Sequence, residues 1–276
     1  MASEYLFQAK RPDFPLYPYI GVIWYMKGPP FLHPCERLLP TATVEVVINL
    51  GEPFNLICNP LRERTLHRYD GAVVCGPQSG HFTIDTNTER HLVGIHFRPG
   101  GLTPFSPLPL SEMRDWHLSI EDIWGDEGRR LHHRLLESSP TVERFRLVEE
   151  FFLSQWNPTK INPAIESARN LFVSMGPQAR VAPVVDHIGF SRRHFNRLFQ
   201  SSLGMPAKAF CRISRFQHAL RKLEVDPHPD WSSFALDFGF YDQAHMINEF
   251  KSLSGFSPEL YLANRGTRLN HIPLRE

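Results

Sequence analysis

A chain of 276 residues, 42% hydrophobic and 21% charged, suits two globular domains with real cores. Its formal net charge of +1 excludes a molecule that is polybasic throughout, but the charge is unevenly placed. Residues 1–160 carry 16 basic against 19 acidic side chains and residues 161–276 carry 14 against 10, the sign expected of a DNA-binding C-terminal half. Cys35, Cys58, Cys75 and Cys211 are scattered with no Cys-x-x-Cys pair. That pattern points to reduced thiols in a cytoplasmic protein rather than to a disulfide frame or a structural zinc site. The N-terminal Met-Ala-Ser-Glu-Tyr lacks a basic stretch followed by an apolar core, and no run approaches the roughly 18 apolar residues of a membrane span. A soluble intracellular protein with no membrane partner is expected.

Residues 1–125 read as mostly β. Tyr19–Met26 and Thr43–Leu50 are rich in Val, Ile and aromatics, with turns at Gly28-Pro29-Pro30 and Gly51-Glu52-Pro53. Phe54–Cys58, Ala72–Cys75, His81–Thr86 and His91–Arg98 are further short runs, and strands so closely spaced predict a small barrel or sandwich. Helical spacing follows over Glu127–Glu137 and Val142–Trp156. In the latter, Val142, Phe145, Val148, Phe152 and Trp156 form a stripe that reads as a packing face against its own domain, with a dimer seam as the competing reading. Asn157-Pro158-Thr159-Lys160 reads as a linker.

Catalysis finds little support in this half. His91 and His96 lie five apart on one strand and so point to opposite faces, while His33, His81 and Glu45 are scattered. No Ser/His/Asp arrangement, Gly-rich phosphate loop or reactive-cysteine context stands out. No cofactor, metal or enzymatic activity is expected. A ligand pocket inside the barrel is the better functional idea. Arg37 and Arg98 are the charged groups to test for holding an anionic ligand there, against the reading of each as an ion-pair or capping arginine.

From residue 161 the pattern is helical. Asn162 caps a helix over Asn162–Met175 with Pro163 at its first position. Pro183 is admissible in the next helix if that helix begins near Val181. Val184–Phe190 ends in a glycine turn, and Ser191 then opens a helix with two incompatible faces. Phe195, Leu198 and Phe199 pack inward. Arg193, Asn196, Arg197 and Gln200 form one polar stripe with Arg192 at its edge. Arg, Asn and Gln pair bidentately with guanine or adenine edges in a major groove, and helix, glycine turn and capped helix make a helix-turn-helix. Pro206 sets up a long helix over Ala207–Glu224 with Phe210, Ile213, Phe216, Leu220 and Leu223 on one face. The pattern then repeats. Phe234–Phe240 is a short helix with a glycine turn, Asp242 caps Gln243–Leu253, and Phe195, Phe199, Gly204 and Phe210 recur 51 residues later as Met246, Phe250, Gly255 and Tyr261. A helix of some 18 residues spans roughly 27 Å, enough with its packing offsets to hold two recognition helices about one DNA turn, roughly 34 Å, apart.

With both units in view, residues 161–265 resemble the DNA-binding domain of the AraC/XylS family of transcriptional regulators. The resemblance is carried by Gly189-Phe190-Ser191-Arg192-Arg193-His194-Phe195-Asn196-Arg197-Leu198-Phe199, Gly204, Arg215 and Arg221, then Gly239-Phe240-Tyr241-Asp242-Gln243-Ala244-His245-Met246, Phe250, Gly255-Phe256-Ser257-Pro258 and Tyr261. Leu38-Leu39-Pro40, Gly76-Pro77-Gln78 and Phe97-Arg98-Pro99-Gly100-Gly101 resemble the cupin-like sensor domain of one branch of that family. The family resemblance implies base reading by Arg193, Asn196 and Arg197 in the first unit. The equivalent positions of the second unit are Ala244, Ile247, Asn248 and Lys251, with Gln243 at the edge. The family often has arginine where Asn248 stands, and Ala244 and Ile247 offer only apolar contact, for example to a thymine methyl. The N-terminal half lacks the four-cysteine zinc site of the alkyl-transferring relatives.

The expected architecture is α+β, with an N-terminal cupin-like β-barrel (1–125), a helical connector and dimerisation segment (126–160), and an all-α domain (161–276). That domain holds two helix-turn-helix units, near 181–202 and 232–253, joined by a long helix. The expected function is sequence-specific regulation of transcription on double-stranded DNA in the bacterial cytoplasm, with nucleoid association when bound. A small-molecule effector in the barrel, contact with RNA polymerase and homodimerisation through the sensor half are expected. The alternative is a ligand-independent regulator whose barrel serves only dimerisation or polymerase contact.

Overall fold

The computed structural model describes residues 5–59, 63–69 and 71–274. The N-terminal Met-Ala-Ser-Glu and the Cys58 side chain, on which two of the readings above touch, lie outside the described residues.

The N-terminal half is two facing antiparallel sheets. Its strands are β1 (Leu6–Lys10), β2 (Ile20–Gly28), β3 (Cys35–Leu38), β4 (Glu45–Asn49), β5 (Phe54–Asn59), β6 (Glu63–Tyr69), β7 (Ala72–Cys75), β8 (Phe82–Asp85), β9 (Arg90–Phe97) and β10 (His117–Ser119). The six-stranded sheet runs β1-β2-β9-β4-β7-β10. The five-stranded sheet runs β11-β3-β8-β5-β6, where β11 is the C-terminal segment His271–Leu274. All six apolar runs seen in the sequence become strands within one or two residues of their expected ends. The others were not legible for physical reasons. Cys35-Glu36-Arg37-Leu38 has two adjacent charges and no period-2 pattern, because its charged groups serve partners from the other half of the chain. β10 is three residues long, and β11 contains Pro273, which is tolerated because β11 is an edge strand.

One face of the six-stranded sheet is covered by α1 (Ile120–Trp124), α2 (Asp126–Glu137) and α3 (Thr141–Ser154). Ser119 starts the first with a reciprocal capping box to Asp122. Ile23, Tyr25, Val46, Ile48, Val93 and Ile95 from the sheet meet Ile123, Trp124, Phe145, Val148 and Phe152 from the helices in one buried cluster. The expected stripe on α3 is therefore a packing face. Val142 is the exception, 76% exposed in the first turn, and Phe151 takes part in its stead. The expected linker is pinned rather than loose. The Asn157 side chain accepts from the Thr159 N–H, the Asn157 N–H donates to the Pro104 carbonyl at 2.8 Å, and Lys160 Nζ donates to the Ser106 carbonyl.

The helical half comprises α4 (Pro163–Met175), α5 (Val181–Ile188), α6 (Arg192–Leu203), α7 (Ala207–Val225), α8 (Trp231–Asp237), α9 (Gln243–Ser254) and α10 (Pro258–Asn264). Asn162 caps α4 and Pro183 sits in the first turn of α5, as expected. The Phe199 ring meets Phe172 and Phe210 edge to face at 5.5 and 5.8 Å and stacks on Phe195 at 5.4 Å, and Phe250 bridges Phe216 and Tyr261 at 5.0 and 5.5 Å. The repeated apolar positions thus build one continuous core around α7.

The two halves are not separate bodies. Leu39, Ala42 and Ile272 belong to the helical core, and the buried Gln217 of α7 donates to the Pro40 carbonyl and to Asn270 Oδ1, both at 2.8 Å. Arg169 Nη1 donates to the Pro99 carbonyl, and Thr103 Oγ1 donates at 2.7 Å to the Ser202 carbonyl. All three N-terminal stretches that carry the sensor-domain resemblance therefore touch the helical half, through Leu39-Pro40, Pro77 and Pro99-Gly100.

Candidate nucleic-acid interface

The first recognition helix is built by local chemistry. Gly189 takes a left-handed φ of 76° to end α5, Ser191 Oγ accepts from the His194 N–H, and Gly204, at φ 81°, ends α6. Phe195, Phe199 and Leu203 are buried, which turns Arg192, Arg193, Asn196 and Arg197 outward and leaves Gln200 half-buried. Arg192, Arg193 and Asn196 make no side-chain hydrogen bond or ion pair among the described residues, and Arg197 Nη2 meets His194 Nδ1 at 3.2 Å. The polar stripe is thus exposed and almost wholly uncommitted.

The second helix repeats the construction. Asp242 Oδ1 accepts from the His245 N–H at 2.7 Å, Gly255 takes φ 76°, and Met246, Phe250 and Leu253 are buried. Gln243, Ala244, Asn248 and Lys251 are exposed. Ile247 is not freely presented, because it packs half-buried against the helical core. Glu249 is held by Arg212 of α7, whose Nε donates at 2.5 Å to Glu249 Oε2 and whose Nη2 donates to Ser252 Oγ. Arg212 therefore fixes α9 on the linker helix, a role that the sequence did not signal. Each recognition helix gathers its own site residues on one face. Between them runs α7, 19 residues and about 28 Å long.

Both recognition helices end against the N-terminal half. A Cβ on Gly204 would lie 2.6 Å from Pro77 and 3.0 Å from the Leu110 carbonyl, and one on Gly255 would lie 2.5 Å from Arg37 Nη1. Twelve residues of helix place the opposite ends, with Arg192, Arg193, Gln243 and Ala244, about 18 Å from those docked turns.

The two arginines considered for an anionic ligand are not brought together. Arg37 lies at the junction of the halves, where its Nη1 donates at 3.1 Å to the Ser254 carbonyl and its guanidinium sits 4.4 Å over the Phe256 ring. It caps the C-terminus of α9 from outside, with its charge at the negative end of the helix dipole. Burial lowers its pKa, and burial together with the Arg37 charge lowers that of neighbouring His81. Arg98 is exposed and donates from Nε to the Tyr17 carbonyl at 3.1 Å. Beside Arg37 on β3, Glu36 is 4% exposed and binds His271 Nδ1 at 2.8 Å, His33 Nε2 at 3.0 Å and Arg268 Nη2 at 3.4 Å. Burial opposes its ionisation, but these partners overrule it and hold the carboxyl at about 2.

The described residues contain no group of three or more His, Cys, Asp or Glu placed to hold a metal ion, and no helix long and apolar enough to cross a membrane.

Residues 8–119 match a family described as a domain of unknown function (DUF6597), and residues 184–264 match a helix-turn-helix domain. The chain is 30% identical over 78 residues, 28% of its length, to the HTH-type transcriptional activator AarP of Providencia stuartii, and the match spans 57% of that activator. Among solved structures, ToxT of Vibrio cholerae is similar at 10% identity and a TM-score of 0.48, over 95% of this chain and 98% of that one. The C-terminal domain of AraT, a response regulator of Geobacillus stearothermophilus, is similar at 21% identity and a TM-score of 0.36, over 40% and 91%.

Proposed function

We propose that the C-terminal half, which matches a helix-turn-helix domain over residues 184–264, is a double helix-turn-helix of the AraC/XylS type, and that this protein is a sequence-specific DNA-binding regulator of transcription controlled through its N-terminal barrel. The observation that carries the reading is the repeated construction of α6 and α9. Each has a capped start, a buried apolar face, a left-handed glycine stop and an exposed face of hydrogen-bonding side chains. The base-reading residues are Arg193, Asn196 and Arg197, supported by Arg192 and Gln200. The second helix contributes Gln243, Ala244, Asn248 and Lys251, with Ile247 limited by its packing to an edge contact. Arg193 and Arg197 suit guanine O6 and N7, and Asn196 suits adenine.

The contacts at Gly204, Gly255 and Arg37 support a route for control. A ligand that favours one arrangement of the barrel shifts the population of states in which the two recognition helices are held at one spacing and angle. Dimerisation through the N-terminal half and contact with RNA polymerase complete the proposal, with the protein acting in the bacterial cytoplasm at the nucleoid.

Selection of bound duplexes from a random pool, at one fixed salt concentration, tests it. The expected result is a bipartite site with two specified segments about one helical turn apart, the stronger one read by α6. Recovery of no preferred sequence would overturn the reading.

A further inference from the structure

The face of the six-stranded sheet that looks toward the five-stranded sheet carries two rows of side chains in register. Val22, His96, Glu45, Cys75 and His117 are successive cross-strand partners along β2, β9, β4, β7 and β10. Two residues along each strand, Trp24, Gly94, Val47 and Val73 form the next row. Directly paired residues, and residues two apart on a strand, share a face. That this face looks inward follows from Phe82 of β8, which packs on Val73 and lies 4.7 Å from the His117 ring.

The two faces of these central strands differ in access. Under the helices, Ile23, Tyr25, Val46, Ile48, Val93 and Ile95 are 0–3% exposed. On the inner face Val73 is buried beneath Phe82, but Trp24, Val47 and Cys75 are only half-buried, and the Glu45 and His96 side chains are each 35% exposed. Two sheets packed tightly along their whole length would bury both faces, so solvent reaches this one around Glu45, beside the Val73–Phe82 contact. The residues there are arranged. The Trp24 indole fills the space above Gly94, where a Cβ would fall 1.9 Å from the ring. Its Nε1 donates at 3.0 Å to Glu45 Oε1, and His96 Nδ1 stands 3.6 Å from Glu45 Oε2. Burial pushes the Glu45 carboxyl up, but neighbouring His96 and the Trp24 N–H overrule it and hold it below the ordinary value. Each carboxylate oxygen keeps a further acceptor site.

We propose that the inner face around Glu45 and Trp24 is a binding site for a small organic ammonium ion, which rests on the reading of the barrel as an effector domain. The ligand's N–H groups donate to Glu45 and its hydrocarbon lies against the indole. An oriented carboxylate within a barrel disfavours anions, and a neutral hydroxyl compound would offer it a hydrogen bond but no charge. An ammonium ion offers both and is also attracted to the indole.

Thermal stabilisation and calorimetric titration of the full chain at pH 7 test this with three matched series: butylammonium and phenethylammonium, the corresponding alcohols, and the corresponding carboxylates. The ammonium ions are expected to bind at least tenfold more tightly than either neutral or anionic counterparts. Glu45→Gln is expected to abolish that preference, and Trp24→Phe to weaken all binding several-fold. Should Glu45→Gln fail to fold, Glu45→Asp is the second variant, expected to keep the preference at reduced affinity. Absence of ammonium binding, a preference for the alcohols or carboxylates, or equal binding by Glu45→Gln each overturns the proposal. Gel-shift assays on the same preparations separate it from the reading it rests on. DNA binding without ammonium binding sinks only this inference, and ammonium binding that never alters DNA binding sinks the effector reading instead.

Discussion

Gly204 and Gly255 occupy equivalent turns 51 residues apart, and both abut the N-terminal half, one against Pro77 and the other against Arg37. The internal repeat therefore does more than duplicate a capped helix. It places two matching turns, each at the C-terminal end of a repeated helix, against the same N-terminal half.

This relationship predicts unequal consequences for one substitution. Both glycines have left-handed φ angles, 81° and 76°, so alanine costs about 1–2 kcal/mol of backbone strain at either site. At 204 the added methyl also meets a proline ring and a backbone carbonyl, whereas at 255 it meets only side chains, the Arg37 guanidinium at 2.5 Å and the His81 ring at 3.0 Å, which give way more readily than backbone. Urea unfolding should show Gly204→Ala clearly less stable than Gly255→Ala. Equal losses would mean that the barrel does not grip the first turn.

Arg193→Ala and Arg197→Ala should each lower specific DNA affinity by about 1–3 kcal/mol, concentrated at particular base pairs, if they make bidentate contacts. Asn248→Ala should cost clearly less than Arg197→Ala. Footprints and binding isotherms at one salt concentration decide the matter, and unchanged affinities for both arginine variants would remove the assignment.

The Glu36 cluster predicts an acid dependence. The folded carboxyl is held at about 2, against an ordinary 4.5, so below pH 4.5 the unfolded chain takes up the proton first. The stabilisation, on the order of 3 kcal/mol, is complete above about pH 4.5 and disappears as the pH falls toward 2. Glu36→Gln should flatten that part of the melting-temperature profile and free the tail strand to limited proteolysis. A variant profile that still falls as steeply as the wild type would refute the role.

In the cores, Phe199→Ala should cost about 3–5 kcal/mol, since the ring is fully buried among Phe172, Phe195 and Phe210. Val142→Ala should stay within about 0.5 kcal/mol, because that side chain is 76% exposed. A large loss at Val142 by calorimetry would point to burial against a second copy.

The sequence by itself determined the features that are settled within a few residues of chain. Ser191, Asn162 and Asp242 cap their helices because each side chain reaches an N–H two or three positions on. Gly189, Gly204 and Gly255 stop theirs because only glycine takes that φ cheaply. The repeat at a spacing of 51 follows from helical periodicity on two similar units. What the tertiary structure alone decided are contacts between positions more than 200 residues apart. Arg37 caps the helix that ends at Ser254, Glu36 binds Arg268 and His271, and β11 completes a sheet begun at the other end of the chain. Such pairings leave no local period and no cap pattern. An arginine on a short charged strand reads the same whether it will hold a ligand or a helix end, and only the packing of the two halves assigned Arg37 to the helix.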